Sequence, residues 1–191
     1  GVKGDIVKRI SKLKNISYIE SKEIVSPQND LKKVLKERNN KIVKIEEKSI
    51  KNKVFKFPPY TKSFIKDSTN MWQEVGYKFL VEKYNLTWDD ILEADLHYCY
   101  FGDKYKNCII IPIYHNNKLV NYVGRTWDKN SKKRYINSSN EESLVKTKSL
   151  LYNYDNMKIE QNLIVVVEGV FDAIKVGLLN RAVATLGSEI S

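Results

Sequence analysis

Cysteine, arginine and long apolar runs are all scarce in this chain of 191 residues. Two cysteines cannot build the disulfide framework of a small secreted domain, so a reducing compartment is the simpler assumption. No stretch approaches the roughly 18 apolar residues of a transmembrane helix. The first residues, GVKGDIVKRI, also lack the apolar centre of a signal peptide. We therefore expect a cytoplasmic protein that does not enter a membrane.

A zinc site within this chain is not favoured by the spacing of its histidines and cysteines. His97, Cys99, Cys108 and His115 lie near one another in the sequence, but they include no CxxC or HxxxH pair. Strand periodicity would distribute these side chains over both faces of a sheet.

Positive charge is abundant, and lysine supplies most of it. The 33 Lys and Arg residues outnumber the 23 Asp and Glu residues and give a net charge of +10, yet only five of the basic residues are arginine. A polyanionic partner such as nucleic acid or nucleotide phosphate would explain this charge. A lysine-rich surface encoded by an AT-rich genome would explain it equally well. The charge alone therefore supports a nucleic-acid partner only weakly.

The chain divides by composition into three parts. Residues 5–38 have apolar residues at helical spacing, and residues 39–56 are charge-rich with weak alternation, as is typical of a linker. The Pro58-Pro59 pair then marks a break before the next domain. We predict a helical linker over residues 1–56, a basic subdomain over 57–158 and the start of a further domain over 159–191.

The middle part predicts two helices followed by strands. Residues 70–84 have helical spacing that predicts Trp72, Val75, Phe79 and Leu80 on the buried face. The segment LTWDDIL begins a short helix, with its threonine as the N-cap and an aspartate three residues later. The runs HYCYF, NCIIIPIY, KLVNYVGRTW and KRYINS predict strands, and the Asn-Asn pair between the second and third predicts a hairpin turn.

The last part, LIVVVEGVFDAIKVGLLNRAVATLGS at residues 163–188, predicts a parallel strand–helix–strand unit. Its strands would span residues 163–167 and 182–186, with a helix over 170–179 between them. Glu168 then lies at the carboxyl end of the first strand, where ligands bind in open α/β sheets. A solvated loop carboxylate is the alternative. Asp172, one helical turn further on, could assist a metal site or only complement the helix dipole.

Basic and aromatic residues alternate between the strands and this unit. Cations beside aromatic rings suit single-stranded nucleic acid, which is bound through backbone charge and base stacking. A solvated sheet edge protected by lysines is the alternative. The residues concerned are Arg125, Lys132, Lys133, Arg134, Lys146 and Lys148, interleaved with Trp127, Tyr135 and Tyr152.

The order of these motifs resembles the catalytic core of DnaG-type primases of bacteria and phages. IIIPIY, GRTW, KRYINSS and KTKSLLYN are followed by VVVEGVFDAI and AVATLGS, which is similar to the opening of a TOPRIM domain. The resemblance spans about residues 70–191. It implies an α+β fold in which a basic, strand-rich subdomain with flanking helices precedes the first β-α-β unit of an α/β TOPRIM domain. The compact motif spacing also suggests a phage or mobile-element origin.

The resemblance also implies segments beyond both ends. GVKGD is similar to the residues that come after the last cysteine of a primase zinc ribbon, so Zn²⁺ is expected only in such a preceding ribbon. A second acidic motif of the DxD kind is expected after the final residue. We expect this chain alone to bind single strands weakly and not to polymerise.

Roles for individual residues are implied by the same resemblance. Glu168 would be catalytic and would bind Mg²⁺ or Mn²⁺, with Asp172 in support. Gly169, Gly187 and Ser188 would line the same crevice. Contacts with template or nucleotide phosphates, sugars and bases would come from Arg125, Lys133, Arg134, Tyr135, Asn137 and either Lys146 or Lys148. Core packing is the alternative for Tyr135.

Three functions remain open at this point. The first is a primase core that makes short RNA primers from NTPs on a single-stranded DNA template, with a replicative helicase as partner. The second is a TOPRIM nuclease or topoisomerase-like enzyme that cleaves phosphodiesters with the same carboxylates. The third is a single-strand-binding relic of a primase without catalysis. The basic subdomain argues against the second, and the presence of a DxD motif would separate the first from the third.

Overall fold

An antiparallel sheet of five strands dominates the chain. The computed structural model describes residues 55–139, 141–156, 164–177 and 182–186, together with Glu37. The strands are β1 (Thr61–Ser63), β2 (His97–Cys99), β3 (Cys108–His115), β4 (Lys118–Thr126) and β5 (Tyr135–Asn137). They pair in chain order, each antiparallel to the next. The predicted strand block is therefore confirmed, whereas β1 was not predicted because it has only three residues and no apolar alternation.

The β3–β4 hairpin forms the centre of the sheet. Asn116 and Asn117 connect the two strands with φ values of 52° and 58°, the left-handed conformation that a two-residue hairpin turn requires and that asparagine tolerates. The predicted hairpin turn is thus confirmed. Alternate residues of β3 face opposite sides: Ile109, Ile111 and Ile113 join the main core, and Cys108 and Ile110 join a second cluster on the other face.

Two helices cover the main-core face of the sheet. The first, α1 (Met71–Tyr84), begins where the Asn70 side chain accepts hydrogen bonds from the N–H groups of Trp72 and Gln73, and Asn85 ends it in the left-handed conformation. The second, α2 (Trp88–Glu93), has the predicted N-cap at Thr87, and its capping box with Asp90 is complete.

The buried face of α1 differs from the predicted one. Leu80 is buried and Phe79 partly buried, as predicted, but Trp72 and Val75 remain 38% and 41% exposed, and Gln73 and Gly76 are buried instead. A Cβ on Gly76 would lie 3.3 Å from the Phe64 ring, so the helix packs closely along its small residue rather than along its large apolar ones. The prediction for Trp72 and Val75 was wrong because apolar periodicity cannot register such a glycine contact.

A parallel strand–helix–strand unit packs against the same core. It consists of β6 (Val165–Val167), α3 (Val170–Val176) and β7 (Ala182–Ala184). A bridge between Tyr152 and Ala184, with N–H to carbonyl distances of 2.9 and 3.3 Å, ties this unit to the chain that follows the large sheet. The predicted parallel unit is confirmed, although β7 ends at Ala184. Leu186 has a φ of 57°, which no strand residue adopts.

Several predictions lie outside the described residues. They include the helices of residues 5–38, apart from Glu37, most of the linker over 39–56, and Gly187 and Ser188. Within the ranges that the structure describes, no helix is long and apolar enough to cross a membrane. The observed architecture is α+β, as the sequence predicts.

Candidate active site

A cavity of about 410 Å³ opens between the strand–helix–strand unit and the last two strands of the large sheet. Five of the predicted site residues meet there, although they are far apart in the sequence. Acidic side chains come from one wall and polar or aromatic ones from the other. The residues that line the cavity are Val123, Tyr135, Asn137, Thr147, Glu168, Gly169, Val170, Asp172 and Leu186.

The acidic wall is built by the end of β6 and the first turn of α3. Three buried valines form β6, so the chain emerges from the core at Glu168, whose side chain is exposed. Gly169 is the N-cap of α3, and a Cβ at this position would lie only 2.8 Å from Oδ2 of Asp172. The glycine therefore leaves room for the Asp172 carboxylate to fold back over the Gly169 backbone.

The opposite wall is held in place by a buried amide. Asn121 of β4 is 0% exposed, and its Nδ2 donates to the Val145 carbonyl at 2.6 Å and to Oγ1 of Thr147 at 3.3 Å. Its Oδ1 accepts from the Ser138 hydroxyl at 2.6 Å. These bonds fix two segments of the cavity wall, the end of β5 around Asn137 and the 3₁₀ turn Thr147–Ser149.

Arg125 lies behind this wall rather than in the cavity. Its side chain is buried, at 4% exposure, and its Nε donates to the Tyr84 hydroxyl at 2.8 Å. Its Nη1 donates to the carbonyls of Thr126 and Arg134 at 2.6 and 3.1 Å. Phe79 and Tyr135 each present a ring to the guanidinium, at 5.4 and 5.1 Å. Arg125 thus holds the start of strand β5 through its hydrogen bond to the backbone carbonyl of Arg134.

Among the other predicted cations whose side chains the structure describes, none lines the cavity. Lys133, Arg134 and Lys146 are exposed, and the Lys133 and Arg134 carbonyls accept hydrogen bonds within the β4–β5 region. Lys148 belongs to the 3₁₀ turn, and its side chain lies outside the described part of the structure.

The end of helix α1 places two residues beside Arg125, behind the cavity wall, that sequence reasoning missed. Lys83 is exposed and lies near Arg125 and Arg134; slight desolvation of its ammonium, followed by the positive charge of these two arginines, lowers its pKa. Tyr84 stacks on Phe171 of α3 with ring centroids 3.8 Å apart. No motif marks either residue, since their role depends on how α1 packs. Asn121 did carry a usable signal, because an amide within an apolar strand needs buried hydrogen-bond partners.

Groups on both sides of the cavity affect the side chain of Tyr135. Its side chain is 47% exposed. Desolvation of the phenol raises its pKa above the ordinary value, the adjacent Tyr84 and Asp172 raise it further, and Arg125 opposes them. Tyr135 therefore stays neutral at physiological pH and offers a ring face rather than a charge. Core packing, the alternative role predicted for Tyr135, describes only the ring face that contacts Arg125.

The carboxylates of the acidic wall suit a hard cation. Mg²⁺ and Mn²⁺ prefer oxygen ligands, and Mg²⁺ commonly takes one or two carboxylates and completes its shell with water and phosphate. Among the described residues, no group of three or more His, Cys, Asp or Glu side chains is arranged to bind a metal. Glu168 and Asp172 would thus supply part of a ligand set, which fits a site shared with a phosphate substrate.

The motifs and the fold define a class of protein, the DnaG-type primase catalytic core. Residues 26–158 match the family described as the N-terminal domain of the DNA primase catalytic core, and the chain belongs to this family.

Two curated relatives agree with that membership. The chain is 35% identical to a DNA primase of Legionella pneumophila over 95 residues, which cover 47% of this chain and 16% of that protein. A DNA primase of Clostridium acetobutylicum is 32% identical over 95 residues, covering 47% of this chain and 15% of the relative. The matched stretch is thus a small part of either protein's length.

Solved structures share the fold at low identity. The E. coli primase catalytic core matches with a TM-score of 0.53 and 19% identity, covering 64% of this chain and 50% of that one. The RNA polymerase domain of Mycobacterium tuberculosis primase DnaG matches with a TM-score of 0.55 and 14% identity, covering 83% and 58%. These similarities show the fold.

Proposed function

We propose that this chain forms part of a DNA-dependent primase that synthesises short RNA primers on single-stranded DNA by metal-assisted nucleotidyl transfer. The observation that carries this proposal is the shared cavity, in which Glu168 and Asp172 lie opposite Tyr135 and Asn137. A volume of about 410 Å³ falls in the range of small-ligand sites and suits a nucleotide. The solved Mycobacterium tuberculosis relative is named an RNA polymerase domain, which accords with the proposal.

In this proposal the acidic wall binds the metal. Glu168 would hold Mg²⁺ or Mn²⁺, and Asp172 would assist directly or through water. The bound ion would neutralise the triphosphate and favour in-line attack by the 3′-oxygen. Gly169 leaves the space that the Asp172 carboxylate occupies in the same cavity as Glu168.

The opposite wall and its surroundings bind the nucleotide and the template. The exposed face of Tyr135 would stack on a base, and Asn137 would contact the sugar or base. Lys133, Arg134 and Lys146 are exposed and would contact phosphates of the template strand. Arg125 would act mainly through the field of its buried charge and through its hold on β5.

Primer synthesis can be tested in a longer chain that includes the expected zinc ribbon and the complete TOPRIM domain. The protein is incubated with single-stranded DNA, labelled NTPs and Mg²⁺ or Mn²⁺, and products and template are separated on one gel. We expect short RNA products that Glu168→Ala abolishes. Glu93→Ala, which removes an exposed carboxylate from a separate cavity, is the matched control and should retain activity.

The same gel distinguishes the other functions. Shortened template that depends on Glu168 would support a TOPRIM nuclease or topoisomerase-like enzyme. A gel without products and with intact template would leave only single-strand binding. A replicative helicase as partner, and a site of action in the cytoplasm of a bacterium or of a phage host, are proposed with the primase function and fall with it.

A further inference from the structure

Tyr84 occupies the point where helix α1 reaches both walls of the candidate active site. It is the last residue of α1, and Asn85 closes the helix in the left-handed conformation with its N–H donating to the Val81 carbonyl at 2.8 Å. The position of the Tyr84 side chain is therefore set by a well-capped helix end that packs between β4 and α3.

The ring of Tyr84 supports the acidic wall. It stacks on Phe171 with a centroid distance of 3.8 Å and an angle of 14° between the planes. Phe171 is buried and immediately precedes Asp172 in the first turn of α3. Any shift of this ring would move the turn that carries Asp172 and follows Glu168.

The hydroxyl of Tyr84 supports the opposite wall through Arg125, which lies behind it. It accepts a hydrogen bond of 2.8 Å from Nε of Arg125, and it lies close enough to the Tyr135 hydroxyl to contribute to the raised pKa of that phenol. The Arg125 guanidinium in turn stacks on Tyr135 and donates to the Arg134 carbonyl. The Tyr84 hydroxyl thus orients the guanidinium that packs against one face of the Tyr135 ring, opposite the exposed face proposed to stack on a base.

We infer that Tyr84 is a positioning residue that sets the spacing between the acidic wall, formed by Glu168 and Asp172, and the nucleotide-binding side chains of β5. This inference rests on the proposed function, which it deepens by assigning the alignment of the two walls to a residue outside every recognised motif. The hydroxyl and the ring have separate tasks, so they can be removed separately. Tyr84→Phe removes the hydroxyl and keeps the stack on Phe171, whereas Tyr84→Leu removes both.

Kinetics of primer synthesis in the longer chain test the two tasks. We expect Tyr84→Phe to raise the KM for NTP about tenfold with a smaller change in kcat, because the lost hydrogen bond orients groups that bind the nucleotide. Tyr84→Leu should also lower kcat and raise the Mg²⁺ concentration required, since the carboxylates lose their support. Tyr114→Phe and Tyr114→Leu are matched controls. Tyr114 lines the separate cavity, where its hydroxyl donates to the Asp95 carboxylate.

A second measurement does not depend on activity. The chain has only five arginines, so their Nε–H signals can be resolved by ¹⁵N NMR and that of Arg125 assigned with Arg125→Lys. We expect slow solvent exchange of the Arg125 Nε–H in the wild type and in both Tyr114 variants. In Tyr84→Phe this exchange should be at least about tenfold faster, since the hydrogen-bond acceptor is gone.

The outcomes separate this inference from the proposed function. Unchanged exchange of the Arg125 Nε–H in Tyr84→Phe would overturn the inference, whether or not primers are made. Equal KM values for Tyr84→Phe and Tyr114→Phe would overturn it as well. If the wild type makes no primers, the proposed function fails. The affinity for a fluorescent oligothymidylate then replaces KM, and a loss specific to the Tyr84 variants would still support the positioning role.

Discussion

Replacing Asn121 by alanine removes the amide that ties β4 to two segments of the cavity wall. The side chain is fully buried and uses both its donor and its acceptor atoms, with bonds to Val145, Thr147 and Ser138. Alanine can satisfy none of these groups.

The expected loss of stability follows from those contacts. The Val145 carbonyl and the Ser138 hydroxyl each lose a bond of 2.6 Å, and an unsatisfied buried polar group costs about 1–3 kcal/mol. The bond to Thr147 is longer, at 3.3 Å, and adds less. We expect the free energy of unfolding to fall by about 3 kcal/mol, a large share of the roughly 5–15 kcal/mol of a typical domain.

Urea unfolding followed by tryptophan fluorescence measures this loss. Asn130→Ala is the matched control, because it removes the same atoms from an exposed loop and should change stability by less than about 0.5 kcal/mol. Hydrogen exchange of the Leu144 amide, which donates to the Val120 carbonyl at 3.0 Å, reports loosening of the adjacent segment. A loss below about 1 kcal/mol, or one equal to that of Asn130→Ala, would refute the assignment of Asn121 as a buried tether.

Two further predictions concern Gly169 and Glu142. Gly169→Ala should reduce Mg²⁺-dependent primer synthesis about tenfold or more while leaving Tm nearly unchanged. The added Cβ would lie 2.8 Å from Oδ2 of Asp172 and must displace that carboxylate. Full activity of the variant would contradict this prediction. Burial alone would raise the pKa of the Glu142 carboxyl, but hydrogen bonds from Lys104 and Ser139 outweigh it and lower that pKa below its ordinary value of 4.5. The stability that this interaction contributes is present above the ordinary pKa of 4.5 and is lost as the pH falls through the lowered pKa of Glu142. Glu142→Gln should therefore lose less unfolding free energy on acidification than the wild type, as measured by urea unfolding at several pH values. Equal acid sensitivity of the two proteins would contradict this role for Glu142.

Local rules predicted much of the fold. The turn at Asn116-Asn117, the capping box of α2 and the parallel strand–helix–strand unit were all confirmed, because each depends on residues adjacent in sequence. The order of motifs also led to the family that the comparison with known domains shows. Such features need no knowledge of which surfaces meet.

Features set by tertiary contact could not be predicted in the same way. The buried face of α1 is chosen by the close approach of Gly76 to Phe64, which outweighs the apolar periodicity of Trp72 and Val75. Tyr84 and Lys83 come to lie beside the candidate site only because this packing directs the end of α1 toward β4 and α3. Spacing along one chain cannot show which helix end will reach a cavity built by other elements.

Arg125 belongs to one of the sequence motifs and is also a buried cation. Among the residues that the structure describes, no carboxylate forms an ion pair with it, and its charge is compensated by two carbonyls, a hydroxyl and two ring faces. Carbonyls and rings stabilise the cation without neutralising it, so its positive field persists where dielectric screening is weak. A polyanion near Tyr135 would experience that field without touching the guanidinium. The arginine can therefore favour nucleotide or template binding while it serves as a structural tether, and Arg125→Lys, which keeps the charge but loses the planar fork, would affect the tether first.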